Sequence, residues 1–273
     1  MCTSLGRVMR VLLAVLLVGV VGVVGCGGED SPGEGAVPTL EGSQATVDKS
    51  PAEADPVVTL EKFRAGSKRN EQGEVVEVQL RGTDGTDASL LHLKGLTNLK
   101  KLSLPYTKIT DTGLVHLKEV AKLEMLWLYG TPITDAGLVH LKWLTNLKTL
   151  GLNDTRISDA GLVHLKGLTN LQSLYLDNTQ VTDAGLVHLK GLTSLKSLEL
   201  GGKITDAGLV HLKGLADLKE LTLANYKVTD AGLVHLKGLT QLQRLDLKKY
   251  TRITEAGIAD LQKALPNCKI YKH

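Results

Sequence analysis

Aromatic side chains are scarce in this chain: one Phe, two Trp and six Tyr among 273 residues. A core built on aromatic rings is thereby excluded, and so is a repeated platform for stacking nucleobases. Three cysteines in a chain this long exclude the small disulfide-stapled scaffolds, and the length allows one or two domains with an adequate core. Charge of one sign is also lacking, since 32 Lys and Arg face 29 Asp and Glu. What is abundant is apolar aliphatic mass: hydrophobic residues make up 42%, mostly Leu and Val, which excludes disorder of the whole chain.

The near-neutral balance conceals three unlike segments. Residues 1–25 carry only Arg7 and Arg10. Residues 27–56 hold seven acids against Lys49, a net of −6, and residues 57–273 hold 29 bases against 22 acids, a net of +7. An acidic stretch precedes a basic one.

Arg7 and Arg10 are followed by the uncharged run Val11–Gly25. At 15 residues it is short for a bilayer span, which needs about 20, and long enough for the apolar region of a signal peptide. It ends in Val23-Val24-Gly25-Cys26, which resembles the lipobox of bacterial lipoproteins. That resemblance implies cleavage before Cys26, acylation of its thiol and tethering to the cell membrane or outer membrane on the extracytoplasmic face. Several acyl chains on one residue anchor stably, each buried CH₂ contributing about 0.8 kcal/mol. The alternatives are a cleaved secretory signal with Cys26 incidental, or an uncleaved anchor, and both also send the rest of the chain out of the cytoplasm. Residues 26–56, rich in Gly, Pro, Ser and acid without periodicity, read as a flexible linker spanning roughly 30 Å root-mean-square.

From residue 76 onward the chain repeats itself. The glycine of a Thr-Asp-Ala-Gly-Leu motif and its variants recurs at Gly113, Gly137, Gly161, Gly185, Gly208, Gly232 and Gly257, spaced 24, 24, 24, 23, 24 and 25. A period in the twenties denotes a solenoid. Each unit joins two patterns. Leu174-Tyr175-Leu176 alternates with period two, as in a strand; Leu186 and Leu189 stand three apart, as on one helix face. Thr or Asp caps the helix, the acid and Lys190 match its dipole, and Gly191 is placed to end it in the left-handed conformation.

Leu171-x-x-Leu174-x-Leu176-x-x-Thr179-x-Val181 resembles the leucine-rich repeat, and the Thr-Asp-Ala-Gly-Leu half is similar to its helix-bearing, ribonuclease-inhibitor-like and cysteine-containing subtypes. Thr83, Thr107, Thr131, Thr155 and Thr179 stand where that family has Asn or Cys, and the last units, with Gly202, Tyr226 and Tyr250, lose even the Thr. The hydroxyl ladder should be irregular there. The resemblance implies an α/β fold: a right-handed leucine-rich-repeat solenoid or horseshoe, with a parallel β-sheet on the concave face and short helices on the convex face. Strands ~4.8 Å apart against helices 8–10 Å apart would bend the stack that way. The organisation expected is a signal peptide (1–25), acylated Cys and linker (26–56), an N-terminal cap (57–75) with a helix bearing Leu60 and Phe63, repeats (76–254) and a C-terminal cap (255–273). Nine strands are expected, the last running through Cys268 and Ile270, with Cys268 as a buried thiol in the slot of Leu245.

Seven histidines, His92, His116, His140, His164, His188, His211 and His235, share one slot of the repeat. Zinc ligands converge on a point about 2.0–2.1 Å away, while equivalent positions of stacked helices lie roughly 8–10 Å apart, so no metal is expected. The lysines two residues later, from Lys94 to Lys237, form a basic stripe that complements the helix ends. No nucleophile elbow, phosphate loop, zincin motif or dinucleotide fingerprint occurs, and neither catalysis nor a cofactor is expected.

Comparison of the units with one another locates the individuality of the chain. The helix half is nearly verbatim, whereas the positions between the strand leucines vary: Gln79, Ser103, Trp127, Gly151, Tyr175, Glu199, Thr222 and Asp246. Met125, Trp127, Tyr129 and Tyr175 gather rare large side chains on that face, with Gly151 and Asn153 between them leaving a shallow space, and Asp177 and Glu199 beside them. Such anchors dominate interface energetics, which makes these eight residues the candidate ligand-binding face for a protein, peptide or envelope glycan. The alternative is a structural envelope protein whose basic convex face meets anionic lipid or polymer; the extracytoplasmic address argues against nucleic acid. Trp143, in place of the glycine after the helix, is expected on the outer surface. A hydrolase with unrecognised residues is a third reading, with no motif behind it.

Overall fold

The computed structural model describes residues 59–60, 62–82, 85–224, 227–247 and 252–272. The signal peptide, Cys26, the acidic linker, Thr83, Tyr226 and Tyr250 lie outside the described residues.

Among the described residues ten strands form one open sheet in chain order: β1 (Gly66–Arg69), β2 (Val75–Gln79), β3 (Lys101–Ser103), β4 (Met125–Trp127), β5 (Thr149–Gly151), β6 (Ser173–Leu176), β7 (Ser197–Leu200), β8 (Glu220–Leu223), β9 (Arg244–Leu247) and β10 (Lys269–Lys272). From β2 onward every pairing is parallel, and each strand is one repeat further along the chain. The result is an α/β solenoid that does not close into a barrel, because β1 and β10 are the two ends of a linear strand order.

Alternation sorts the side chains. In β6, Leu174 and Leu176 are buried while Ser173 and Tyr175 are partly exposed. The buried set of one repeat is Leu147, Leu150, Leu152, Ile157, Leu162, Leu165 and Leu168, all fully covered, and the same slots recur along the chain. Each such side chain contributes about 1.5–3 kcal/mol when buried, and most of its contacts come from neighbouring repeats.

The helix of the C-terminal cap, Glu255–Ala264, is a regular α-helix, but the repeat helices are tighter. Asp159–Leu162 makes one α-turn and Val163–Leu165 continues as 3₁₀; Gly113–Glu119 and Gly185–Leu189 are 3₁₀ throughout. Leucines spaced by three stack in line at three residues per turn, so the spacing of Leu186, Leu189 and Leu192 suits this geometry better than the 3.6-residue helix. The caps are as expected in the middle units, where Thr134, Ser158, Thr205 and Thr229 accept bonds from Ala136, Ala160, Ala207 and Ala231 backbone N–H groups, but Thr86 and Thr112 make no such bond. The left-handed terminator is not: of the glycines in that slot only Gly95 has positive φ, and Gly191 does not. There Lys190 stays right-handed and the Leu192 N–H closes a 3₁₀ turn onto the Leu189 carbonyl.

Three further expectations are corrected. Among its described residues the N-terminal cap keeps helix only at Thr59 and Leu60, with Phe63 in the turn that follows, and adds a hairpin that was not expected: β1 pairs antiparallel with β2, covering its outer edge. The turn chemistry decides it, since Asn70 Oδ1 accepts from Gln72 and Glu74 N–H, and Gly73 takes φ 79°. There are therefore ten strands where nine were expected. At the other end Ile270, not Cys268, pairs with Leu245; Cys268 is nevertheless buried and free, and burial pushes its thiol up from the ordinary value.

Two polar ladders run through the stack. Thr107, Thr131, Thr155 and Thr179 are buried and donate to the carbonyls of Leu104, Leu128, Leu152 and Leu176, three residues back in the same repeat. The second joins repeats. Asp87, Asp111, Asp135, Asp159, Asp183, Asp206 and Asp230 each accept a backbone N–H at 2.7–2.8 Å and a hydroxyl at 2.5–2.6 Å from the Thr or Ser one unit on. The motif acid is thus an inter-repeat clamp as well as a dipole partner.

Candidate functional site

The open sheet face is where the repeats differ. Parallel register places Trp127, Gly151, Tyr175 and Glu199 side by side on β4, β5, β6 and β7. Trp127 and Tyr175 stand two strands apart, a separation of about 9–10 Å between backbones. Their ring centroids are nonetheless 5.3 Å apart. Gly151 allows this: it has no side chain, and the Trp127 ring lies where its β-carbon would be. The shallow space expected at Gly151 is therefore filled, and Gly151 is buried under the indole. Trp127 itself stays partly exposed.

The aromatic row continues in the other direction. Tyr129 meets Trp127 edge-to-face at 6.2 Å and Tyr106 edge-to-face at 5.4 Å. Contacts of this kind contribute about 0.5–1.5 kcal/mol each beyond area burial, so the rings hold one another in place. Tyr106 escaped the sequence reading. It follows β3, is 62% exposed and has φ 54°. The same slot in other repeats holds Gly82, Gly130, Asp154 and Asn178, all with positive φ. Gly, Asn and Asp tolerate that conformation and a tyrosine pays about 1–2 kcal/mol for it. The signal was available: a bulky residue in a slot otherwise filled by residues that favour left-handed turns.

Beyond Tyr175 the face becomes polar and acidic. Asn153 accepts the Asp177 backbone N–H at 3.0 Å and donates to Glu199 Oε2 at 3.2 Å, bridging two repeats. Asn178 donates to Asp154 Oδ1 at 2.6 Å, and its backbone N–H donates to Asp177 Oδ1 at 2.9 Å. Met125 lies partly buried at the start of β4, beside Lys101 and Thr149. Of the eight candidate residues, the structure brings Trp127, Tyr129, Gly151 and Tyr175 into one cluster, and Asn153, Asp177 and Glu199 into an adjoining one. Met125 stands aside at the opposite end of its strand.

The strand starts carry a basic groove of about 430 Å³ lined by Lys100, Lys122, Glu124, Asn146, Lys148, Asn170, Gln172 and Ser194. Glu124 pairs with Lys148 at 2.8 Å and with Lys100 at 4.0 Å, while Lys122 donates to the neutral amide of Asn98 at 2.6 Å. The Lys148 ammonium is the main cause holding the Glu124 carboxyl below its ordinary value. On the opposite side the seven histidines are partly buried, and partial burial, helped by Lys166, holds His188 below its ordinary value. Among the described residues no group of three or more His, Cys, Asp or Glu side chains is placed to hold a metal ion. Trp143 is 62% exposed, with the Lys142 ammonium 4.7 Å from its ring.

Residues 145–191 and 169–214 match a family model described as Leucine Rich repeats (2 copies). Comparison with curated proteins returns no match. Among solved structures, an LRR protein of Leptospira interrogans is similar, at 23% identity and TM-score 0.50 over 66% of this chain and 44% of that one. The chain thus spans less than half of that protein. An internalin of Listeria monocytogenes shares 23% identity at TM-score 0.47, over 80% of this chain and 73% of its own. Sequence and fold agree: residues 145–214 carry leucine-rich repeats, and the described chain has the architecture of an open leucine-rich-repeat solenoid.

Proposed function

We propose that this protein is a non-catalytic binding module, tethered to a membrane through Cys26, that holds a protein or peptide partner on its open sheet face. The observation that carries the reading is the continuous ring contact Tyr106–Tyr129–Trp127–Tyr175, which concentrates four of the chain's nine aromatic side chains on the one face where the repeats differ. Leucine-rich repeats are in general protein-interaction modules without catalytic activity, which supports it. Simultaneous replacement of Trp127 and Tyr175 by Ala should abolish partner capture from envelope extracts at an unchanged circular dichroism spectrum; undiminished capture refutes the site.

The tether rests on the order of basic residues, apolar run and Val-Val-Gly-Cys tetrapeptide. Cys26→Ser should release the protein from membranes and abolish acyl labelling. Persistent membrane attachment would assign the apolar run to an uncleaved anchor.

The exposed lysines of the helix side, Lys94, Lys118, Lys142, Lys166, Lys190 and Lys213, favour a second reading in which that side meets anionic lipid or polymer. That reading requires association that weakens steeply with salt and survives loss of the aromatic row.

A further inference from the structure

We infer that the open face takes an extended, cationic polypeptide segment of another protein, seating a large apolar or aromatic side chain on the rings and a Lys or Arg about three to four residues away at the carboxylates of Asp177 and Glu199. This deepens the proposed function and rests on it.

Four observations lead there. The first is strain. Tyr106 holds a left-handed backbone at an exposed position, and its ring covers Gly130 and abuts Tyr129. An unfavourable conformation kept at a surface points to use of the side chain. The row is therefore one ring longer than the repeats' variable positions disclose.

The second is direction. The rings step from Tyr106 after β3 to Tyr129 after β4, back to Trp127 on β4 and on to Tyr175 on β6, so the row as a whole runs across the strands. A ligand that touches them in succession lies across the sheet and reads side chains, not an edge of the sheet. From the end of β3 to β7 is four strand spacings, roughly 19 Å, which an extended chain covers with about six residues.

The third is charge. The rings reach from β3 to β6, and carboxylates follow beside β5, β6 and β7: Asp154, Asp177 and Glu199. Asn153 and Asn178 hold that acidic end in place. Complementarity selects a cation there and rejects a polyanion, whose like charge would be repelled. From Trp127 to the strands of Asp177 and Glu199 is two and three spacings, about 10 and 14 Å, which sets the apolar-to-cationic distance at about three to four residues.

The fourth is rigidity. The rings brace one another and Gly151 lets the indole lie flat, so little side-chain freedom is lost when a segment binds.

The test is selection of a displayed library of random octapeptides on the immobilised protein, with affinities of the selected peptides then measured on variants. The expected sequences pair an aromatic or large aliphatic residue with Lys or Arg three to four positions away, in either order. Asp177→Asn with Glu199→Gln should weaken them roughly tenfold and remove the preference for a cation, while Trp127→Ala abolishes binding. Binding lost in Trp127→Ala but unchanged in the Asp177→Asn/Glu199→Gln variant overturns this inference and leaves the proposed face standing. Binding that survives Trp127→Ala overturns both. Selection of acidic or purely apolar peptides, or of none, overturns the inference, as does self-association of the unliganded chain that disappears in Trp127→Ala, which would give the face to a second copy.

Discussion

The carboxylate of Asp159 rests against the α-carbon of Gly185 one repeat further on, where any β-carbon would overlap Oδ1 and approach the Asp159 α-carbon to 3.1 Å. The same carboxylate accepts the Thr182 N–H at 2.7 Å and its hydroxyl at 2.6 Å. Gly113, Gly137, Gly161, Gly208, Gly232 and Gly257 meet the preceding aspartate in the same way. The glycine that marks the period is therefore required by a neighbour's side chain, since none of the seven has a left-handed backbone.

Gly185→Ala should accordingly destabilise the fold by about 2–3 kcal/mol, because Asp159 must swing away and abandon hydrogen bonds made by a charged acceptor. Urea unfolding followed by circular dichroism measures it. A midpoint unchanged from the parent would show that the clamp tolerates displacement.

Acid should loosen the two ends of the ladder. Partial burial pushes the Asp87 carboxyl up, but hydrogen bonds from Thr110, Thr112 and Gly113 outweigh it and leave it below its ordinary 3.8. Asp230 is held below 3.8 chiefly by the Thr254 hydroxyl and N–H. A depressed folded value means that the stabilisation is present above 3.8 and is lost as pH falls through the folded value. Melting temperature should drop below pH 3.8. Asp87→Asn should melt lower than the parent at neutral pH and lose less on acidification. Parallel pH profiles for the two proteins would refute the assignment.

The period, the strand alternation and the identity of the aromatic face were legible in the sequence because each is a local pattern repeated in eight near-copies. What was not legible depended on neighbours. Leucines three apart lie on one face of either helix type, so a spacing that suits the 3₁₀ form better does not by itself exclude the α-helix. The Asp clamp links positions one repeat apart, so within one unit Asp159 reads only as a helix-start acid. Gly151 reads as a gap until the indole of Trp127 is seen to fall across it. Tyr106 sits outside the leucine alternation and was overlooked, although its slot is glycine, Asp or Asn elsewhere. At the N-terminus, the helical reading holds for Leu60 but not Phe63, and the hairpin closed by the Asn70–Gly73 turn went unread because its signal is two turn residues rather than a repeated pattern.

Tyr106→Asn should separate stability from binding. Asn relieves a left-handed penalty of about 1–2 kcal/mol and forfeits one ring contact of about 0.5–1.5 kcal/mol. The melting temperature should therefore stay the same or rise slightly, while affinity for a partner captured by the parent falls several-fold. A clear loss of stability with full binding would make Tyr106 a structural residue only.

Gly151→Ala makes the opposite case to Gly185→Ala. Gly151 has no left-handed backbone to preserve, and the obstacle to a β-carbon is the indole of Trp127, which can turn outward. A strand glycine replaced by alanine gains about 0.5–1 kcal/mol from reduced freedom of the unfolded chain, and the displaced Trp127–Tyr175 contact forfeits a similar amount. Stability should change by less than about 1 kcal/mol. The near-ultraviolet dichroism of the coupled rings should collapse, and partner binding should fall as far as in Trp127→Ala. Retained binding with a displaced indole would show that the partner does not use the ring surface, and unfolding would show that the indole is part of the core rather than its exposed outer layer.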